Sequence, residues 1–450
     1  MFSHNSGNGL DQVAKAFSAK PVNGLVRQAC DNRRLNMFKI KWIFLAIDIP
    51  RDSEQTPKAV EQLFSTLSGA HTPISFKEKM EGQFQLAFSF EIISIDGYVQ
   101  FIIRTPDYWR DLVESAIYSQ YPDAEITEVN DYTTDLPVKF PNDDYNMWGT
   151  EVVPVASEIY PIRTYTEFED SVSGEFKDPM ASVIETMSKI RNGEQVWLQL
   201  LIRPTMGTKW QKKAKEMAMK LAGKKAPESK KSWYANILPS IFGIFTLNNG
   251  ESIFWWHDVP GDKFKKEVKK DDLPSIMLHL TPGEKDALEA IQKKAAKTGF
   301  ECKIRLIYLS SHNQYNPGRV IAPVFGSLKQ FSTMNLNAFK PDTKTKTKVE
   351  WFFVKYRLAQ RRQNLIKAYK FRSNLAGHAH FILNTEELAS LWHFPSREIR
   401  TPLLQKTVSK KNEPPFSLPI FQEDTGALDV ENDLRKQLRT ANPGPGNGWR

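Results

Sequence analysis

A chain of 450 residues, 40% apolar and 12% aromatic, holds enough hydrophobic material for packed cores, which excludes wholesale disorder. Its formal charge of +9 is modest for that length and favours an acidic partner without requiring one. Two cysteines, Cys30 and Cys302, rule out a disulfide framework and offer no metal-binding spacing, as expected of a reducing compartment.

Residues 1–36 read as a polar N-terminal extension without a signal-peptide pattern. Ile40–Ile49 is a continuous apolar run ended by Pro50, the signature of a strand buried on both faces. Thr56-Pro57 opens a helix with Val60, Leu63, Phe64 and Leu67 as its apolar stripe. Phe84, Leu86, Phe88 and Phe90 then alternate with smaller or polar residues, and Asp96-Gly97 separates this strand from a returning one at Tyr98–Arg104. Thr105-Pro106-Asp107 starts a second helix, with Trp109, Leu112, Val113, Ala116 and Ile117 at helical spacing, and Ala124–Val129 is a last short strand. Strand, helix, strand, strand, helix, strand over residues 37–132 predicts a ferredoxin-like split βαβ sandwich in an α+β protein.

Residues 133–149 are polar and turn-rich, a linker by composition. A second α+β domain is expected over 150–223 and 274–340. Its elements are a strand at Glu151–Ala156, a helix from Asp178-Pro179, a strand at Gln195–Ile202 and a basic helix at Lys209–Gly223. A capping box at Thr281–Glu284 opens a further helix, and Cys302–Leu309 is a strand. The intervening 224–273 reads as an insertion. Its apolar pieces, Trp233–Leu247 and Phe254-Trp255-Trp256, suit a partner, a membrane interface or the insertion's own host domain.

The segment 341–405 begins with a flexible basic link, Thr343–Lys348. Val349–Arg372 follows as a helix with Phe352, Tyr356, Leu365, Ile366 and Tyr369 on one face. A strand at Phe381–Leu383 and a short capped helix from Asn384 complete it. Residues 406–450 are rich in Pro and Gly and are expected to be a disordered tail or docking peptide. No apolar run approaches the roughly 20 residues of a membrane-spanning helix.

Signatures of chemistry do not emerge. The sequence has no P-loop, no G-x-G-x-x-G after a strand, no nucleophile elbow and no H-E-x-x-H, so no catalytic residue and no cofactor is assigned. His378, His380 and His393 lack the companion ligands of a zinc site and read as ordinary histidines near a strand. Charge is distributed more tellingly. Arg104–Glu185 carries 18 acids against 5 bases, whereas Lys340–Arg372 carries 11 bases against 2 acids, so opposite surfaces would attract opposite partners. The candidate nucleic-acid or partner contacts are Lys209, Lys212 and Lys213 in one basic helix and Lys355, Arg357, Arg361, Arg362, Lys367 and Lys370 in the other. No RNA-reading signature accompanies them.

Several pieces taken together are similar to a known family. IFLAIDIPRDSEQTPKAVEQLFSTL, ISIDGYVQFIIRTPDYWRDLVESAIYSQYPDAEI and HFILNTEELASLWHFPS, followed by EPPFSLP, resemble the α+β region that precedes the motor core of bacterial FtsK/HerA-class ATPases of conjugation and type IV secretion. The resemblance spans Ile40–Pro419. It implies a non-catalytic accessory component of a DNA-translocation or secretion machine, with the P-loop motor on a separate polypeptide, lost or truncated. It further implies DNA as a partner, a homo-oligomer matching a ring-shaped motor, and a cytoplasmic location with peripheral contact at the inner face of the cell membrane. The alternative from a different class is a stand-alone nucleic-acid-binding protein that uses the basic helices.

Overall fold

Asp96 and Gly97 both take positive φ, 54° and 89°, the geometry of a tight hairpin whose twist matches that of its strands. The hairpin they close lies near the middle of a nine-stranded sheet. The computed structural model describes residues 40–50, 55–75, 77–78, 81, 83–168, 176–205, 208–222 and 280–395. The expected N-terminal extension, the whole of the expected insertion 224–273 and the tail lie outside these residues.

The fold is mixed α+β. Strand β1 (Trp42–Asp48), helix α1 (Pro57–Leu67), strands β2 (Phe88–Ile95) and β3 (Tyr98–Pro106), helix α2 (Arg110–Tyr118) and strand β4 (Glu125–Val129) form the first half. The second half runs β5 (Tyr145–Pro154), α3 (Pro179–Ser188), β6 (Glu194–Pro204), α4 (Thr208–Leu221), α5 (Pro282–Ala296), β7 (Gly299–Ser311), α6 (Pro317–Leu328) and β8 (Phe339–Pro341). Helix α7 (Val354–Lys370), strand β9 (Phe381–Asn384) and helix α8 (Thr385–Leu391) follow.

Strand order is β4-β1-β3-β2-β6-β7-β5-β8, with β9 on β7, and every pairing is antiparallel. The order is the same from either edge: β4-β1-β3-β2 matches β8-β5-β7-β6 strand for strand in chain sequence. The halves meet where β2 pairs β6, Phe88 opposite Ile202 through Ile95 opposite Gln195. One sheet therefore runs across the 133–149 boundary expected between domains. Strand β5 starts at Tyr145, inside that expected linker, because Ser311 and the rest of β7 give it hydrogen-bonding partners that composition does not reveal.

One face of the sheet carries the main core. Phe90, Ile103, Leu200, Ile304 and Leu306 point to this face and meet α1, α2, α3, α6 and α8. Trp392, just past α8, is its hub. Its ring lies within 4.8–6.5 Å of the rings of Phe64, Phe90, Phe101 and Phe394, which ties the C-terminal segment to the first half. Three of the helix starts read from the sequence form their caps. The Asp178 carboxylate accepts from Met180 N and Ala181 N, and Thr281/Glu284 and Asn384/Glu387 make reciprocal capping boxes. The expected start at Thr105-Pro106 does not form: both residues pair within β3, and α2 opens only at Arg110, after a 3-10 turn at Asp107–Trp109, with no side-chain cap. The opposite face of the sheet is covered by α7, through Leu365, Ile366 and Tyr369 on Trp197, Ile307 and Leu309.

Candidate interaction surface

A single polar row crosses that second face. Glu91 on β2 faces Gln199 on β6, Gln199 faces Arg305 on β7, and Arg305 faces Glu151 on β5. All four are essentially buried. Alternation on apolar strands puts each of them on the face under α7. The row is fully bonded. Gln199 Nε2 donates to Glu91 Oε1 at 2.9 Å, Arg305 Nη1 to Gln199 Oε1 at 3.2 Å, and Arg305 Nε to Glu151 Oε1 at 3.0 Å.

The same groups clamp the C-terminal end of α7. Arg305 donates to the carbonyls of Ala368, Ser373 and Ala376 at 2.6–3.1 Å. Arg372 donates to Glu91 at 3.0 and 3.1 Å and to Asp131 at 2.6 Å. Tyr132 bridges Glu91 and Tyr369. Cations at a helix C-terminus also complement its dipole. Burial alone would push the Glu91 carboxyl up, but the Arg372 guanidinium with Ser89 and Tyr132 holds it below the usual range. Burial pushes the Tyr132 and Tyr369 hydroxyls well above theirs. These groups are sealed and mutually satisfied, which makes the row a support for α7.

The N-terminal end of α7 is built differently. Thr343–Lys348, expected to be a flexible link, and the preceding Asp342 are tethered along β5. Asp342 N donates to Glu151 O at 2.8 Å, Thr347 N to Gly149 O at 2.9 Å, and Gly149 N to Thr347 Oγ1 at 2.8 Å. Arg361, about two turns into the helix, donates to the Lys346 and Lys348 carbonyls at 2.8 and 2.7 Å, and Arg357 donates to the Trp351 carbonyl at 2.8 Å. Between these anchors the chain turns out. Phe352 and Phe353 take φ of 29° and 49°, the left-handed region that residues with a Cβ avoid. Helix α7 consequently starts at Val354 and not at the expected Val349. Phe352 and Tyr356, expected on the helix's packing face, are 81% and 73% exposed; Trp351 and Phe353 are 72% and 83% exposed.

The residues singled out from charge alone divide into two groups. Lys209, Lys212 and Lys213 are exposed on α4, whose Trp210 and Ala214 pack on Leu288 and Ile291 of α5 in a separate small cluster. Lys355, Arg357 and Lys367 are exposed on α7. Arg361 and Arg362 are only half exposed, and Arg361 is committed to the Lys346 and Lys348 carbonyls. Lys370 is committed to the carbonyls of Thr134 and Leu136 at 3.3 and 3.0 Å, and burial lowers its pKa. Trp351 and Phe353 escaped the sequence reading. The available signal was an uninterrupted Trp-Phe-Phe-Val run between lysines.

Among the described residues, no group of three or more His, Cys, Asp or Glu could hold a metal ion. His378 and His380 lie just before β9, and His393 instead bridges the Ala389 carbonyl and the Asp178 carboxylate at 2.7 and 2.8 Å. Among the described residues no helix is long and apolar enough to cross a membrane.

Fold and surface together define an α+β protein whose most distinctive external feature is an exposed aromatic and basic tip. The chain belongs to a family described as a domain of unknown function, DUF8128, whose model matches residues 42–407. No curated protein matches it.

Proposed function

We propose that this protein is a non-catalytic docking component of a DNA-translocation or secretion machine, working beside a separately encoded HerA/FtsK-class P-loop ATPase. The observation that carries the docking reading is the tip at Trp351–Tyr356. It is solvent-facing, strained and held by hydrogen bonds from Arg357 and Arg361, which is costly to maintain without a use. The link to a motor rests on the resemblance of the sequence pieces quoted above. We read the first half, with its β4-β1-β3-β2 order, as a ferredoxin-like sandwich and the second half as a related copy joined to it edge to edge. A ring-shaped motor would call for several copies of this chain around it, peripheral to the inner face of the cell membrane.

The test is a mixture of the purified full chain with the HerA/FtsK-class ATPase of the same genome on a sizing column. A joint peak is expected, and two unshifted peaks overturn the motor-partner reading. The second reading, nucleic-acid binding, draws on the exposed Lys209, Lys212, Lys213, Lys355, Arg357 and Lys367. It predicts affinity for single-stranded or duplex DNA that falls steeply with salt. No measurable binding at low salt removes it.

A further inference from the structure

We infer that the Trp351–Tyr356 tip docks the protein on an anionic lipid surface, inserting its aromatic side chains among the acyl chains beneath the headgroups. The inference rests on the docking reading above and supplies the partner's chemistry.

Shape comes first. Trp351, Phe352, Phe353 and Val354 are consecutive, and all four are exposed, as is Tyr356. Consecutive exposed residues do not form the single i, i+3, i+4 stripe that a partner helix would read. Nor do they form a platform with room for a strand to run between spaced rings, as stacked bases require, and Val354 has no ring to stack on. A convex apolar knob suits a deformable medium that closes around it.

Charge comes second. Between 343 and 370 the chain carries Lys344, Lys346, Lys348, Lys355, Arg357, Arg361, Arg362, Lys367 and Lys370 against one acid, Glu350, itself paired with Lys348. Lys344, Lys348 and Lys355 are exposed on either side of the aromatic run. Basic residues flanking Trp and Phe are the pattern of an interfacial anchor.

Backbone comes third. Phe353 provides no side-chain cap to α7, and the first turn holds no acid. The positive end of a 17-residue helix is therefore left open at the knob. Lipid phosphates can accept from its free N–H groups while the rings insert.

The test uses the full chain and vesicle flotation with phosphatidylcholine alone or with added phosphatidylserine. The wild type should float with the anionic vesicles and be released by salt. The triple variant Trp351→Ser, Phe352→Ser, Phe353→Ser should lose partitioning by on the order of a hundredfold. The variant Lys344→Gln, Lys348→Gln, Lys355→Gln should lose about fivefold per lysine on anionic vesicles only. The replaced side chains are exposed, and an unchanged melting profile checks that the variants fold. Absence of wild-type flotation overturns the inference, as does undiminished flotation of the aromatic variant. Loss of single-stranded DNA binding in that variant without any flotation assigns the knob to nucleic acid instead. Complex formation with the ATPase, measured without lipid, reports separately on the motor-partner reading.

Discussion

Arg372 reaches back 281 positions to Glu91 and holds its carboxylate from both sides at 3.0 and 3.1 Å, with neither side chain open to solvent. The pair joins the end of α7 to the middle of β2. Removing one partner leaves an uncompensated buried charge, so Arg372→Met should cost about 3–5 kcal/mol in denaturant unfolding. Glu91→Leu combined with Arg372→Met should recover only part of that loss, because it removes the buried uncompensated charge but leaves Gln199, Tyr132 and Asp131 each short of a partner. A single variant within about 0.5 kcal/mol of wild type would show that the pair contributes nothing.

Acid should destabilise the protein in two separable windows. The first belongs to His380, whose pKa is lowered from 6.5 to about 3 by burial and by the cations Arg203, Lys303 and Arg305. As pH falls below 6.5 the unfolded chain takes up a proton that the folded imidazole refuses until about pH 3, so stability declines through that interval. The slope is at most about 1.4 kcal/mol per pH unit, and His380→Gln should flatten it. The second window opens below the ordinary carboxylate value of 4.5, where the unfolded chain protonates Glu91 while the folded carboxylate, held by Arg372, still refuses the proton. Its stabilisation is complete above that value. Denaturant midpoints measured from pH 7 to pH 3.5 in wild type and His380→Gln check both windows, and identical profiles would exclude His380.

Gly377, in the loop that follows α7, should resist replacement. Its φ is +93°, and a Cβ there would collide with the Glu151 carboxylate, which also accepts from His378 N and Arg305. Gly377→Ala must either displace Glu151 from Arg305 or move the loop, at a cost of about 2–4 kcal/mol. Gly69, with nothing within 4 Å of its would-be Cβ, is the control and should tolerate Ala within about 0.5 kcal/mol. Equal effects in calorimetry would show that the close approach is not real.

Local chemistry was legible in the sequence; long-range pairing was not. Asp96-Gly97, Asp178, Thr281 and Asn384 act through neighbours a few residues away, so their turn and caps could be read directly. The β2–β6 junction joins two segments that each look complete alone, and only backbone pairing reveals it. The polar row left a trace that was readable in principle: Glu91, Gln199 and Arg305 are each a long polar residue in the middle of an apolar strand, which must find buried partners. The knob was misread because Phe352 and Tyr356 sit four apart, a spacing that also fits a helix. Nothing in the letters announces a left-handed backbone at Phe352 and Phe353.

That backbone supplies the sharpest distinction between presentation and packing. Phe353 sits at φ 49° with its ring 83% exposed, so it bears conformational strain and returns little burial. A left-handed residue with a Cβ costs roughly 1–2 kcal/mol. Glycine removes that cost but returns about 0.4–1 kcal/mol of entropy to the unfolded chain. It is also tolerated as a helix N-cap, the position Phe353 occupies. Phe353→Gly should therefore leave thermal stability unchanged or raise it by up to about 1 kcal/mol, while weakening flotation with anionic vesicles. Phe353→Ala keeps the strained backbone and loses the ring, so it should weaken flotation without the gain in stability. If Phe353→Gly instead lowers stability by more than about 1 kcal/mol, the ring packs against the protein in solution and is not held out for a partner.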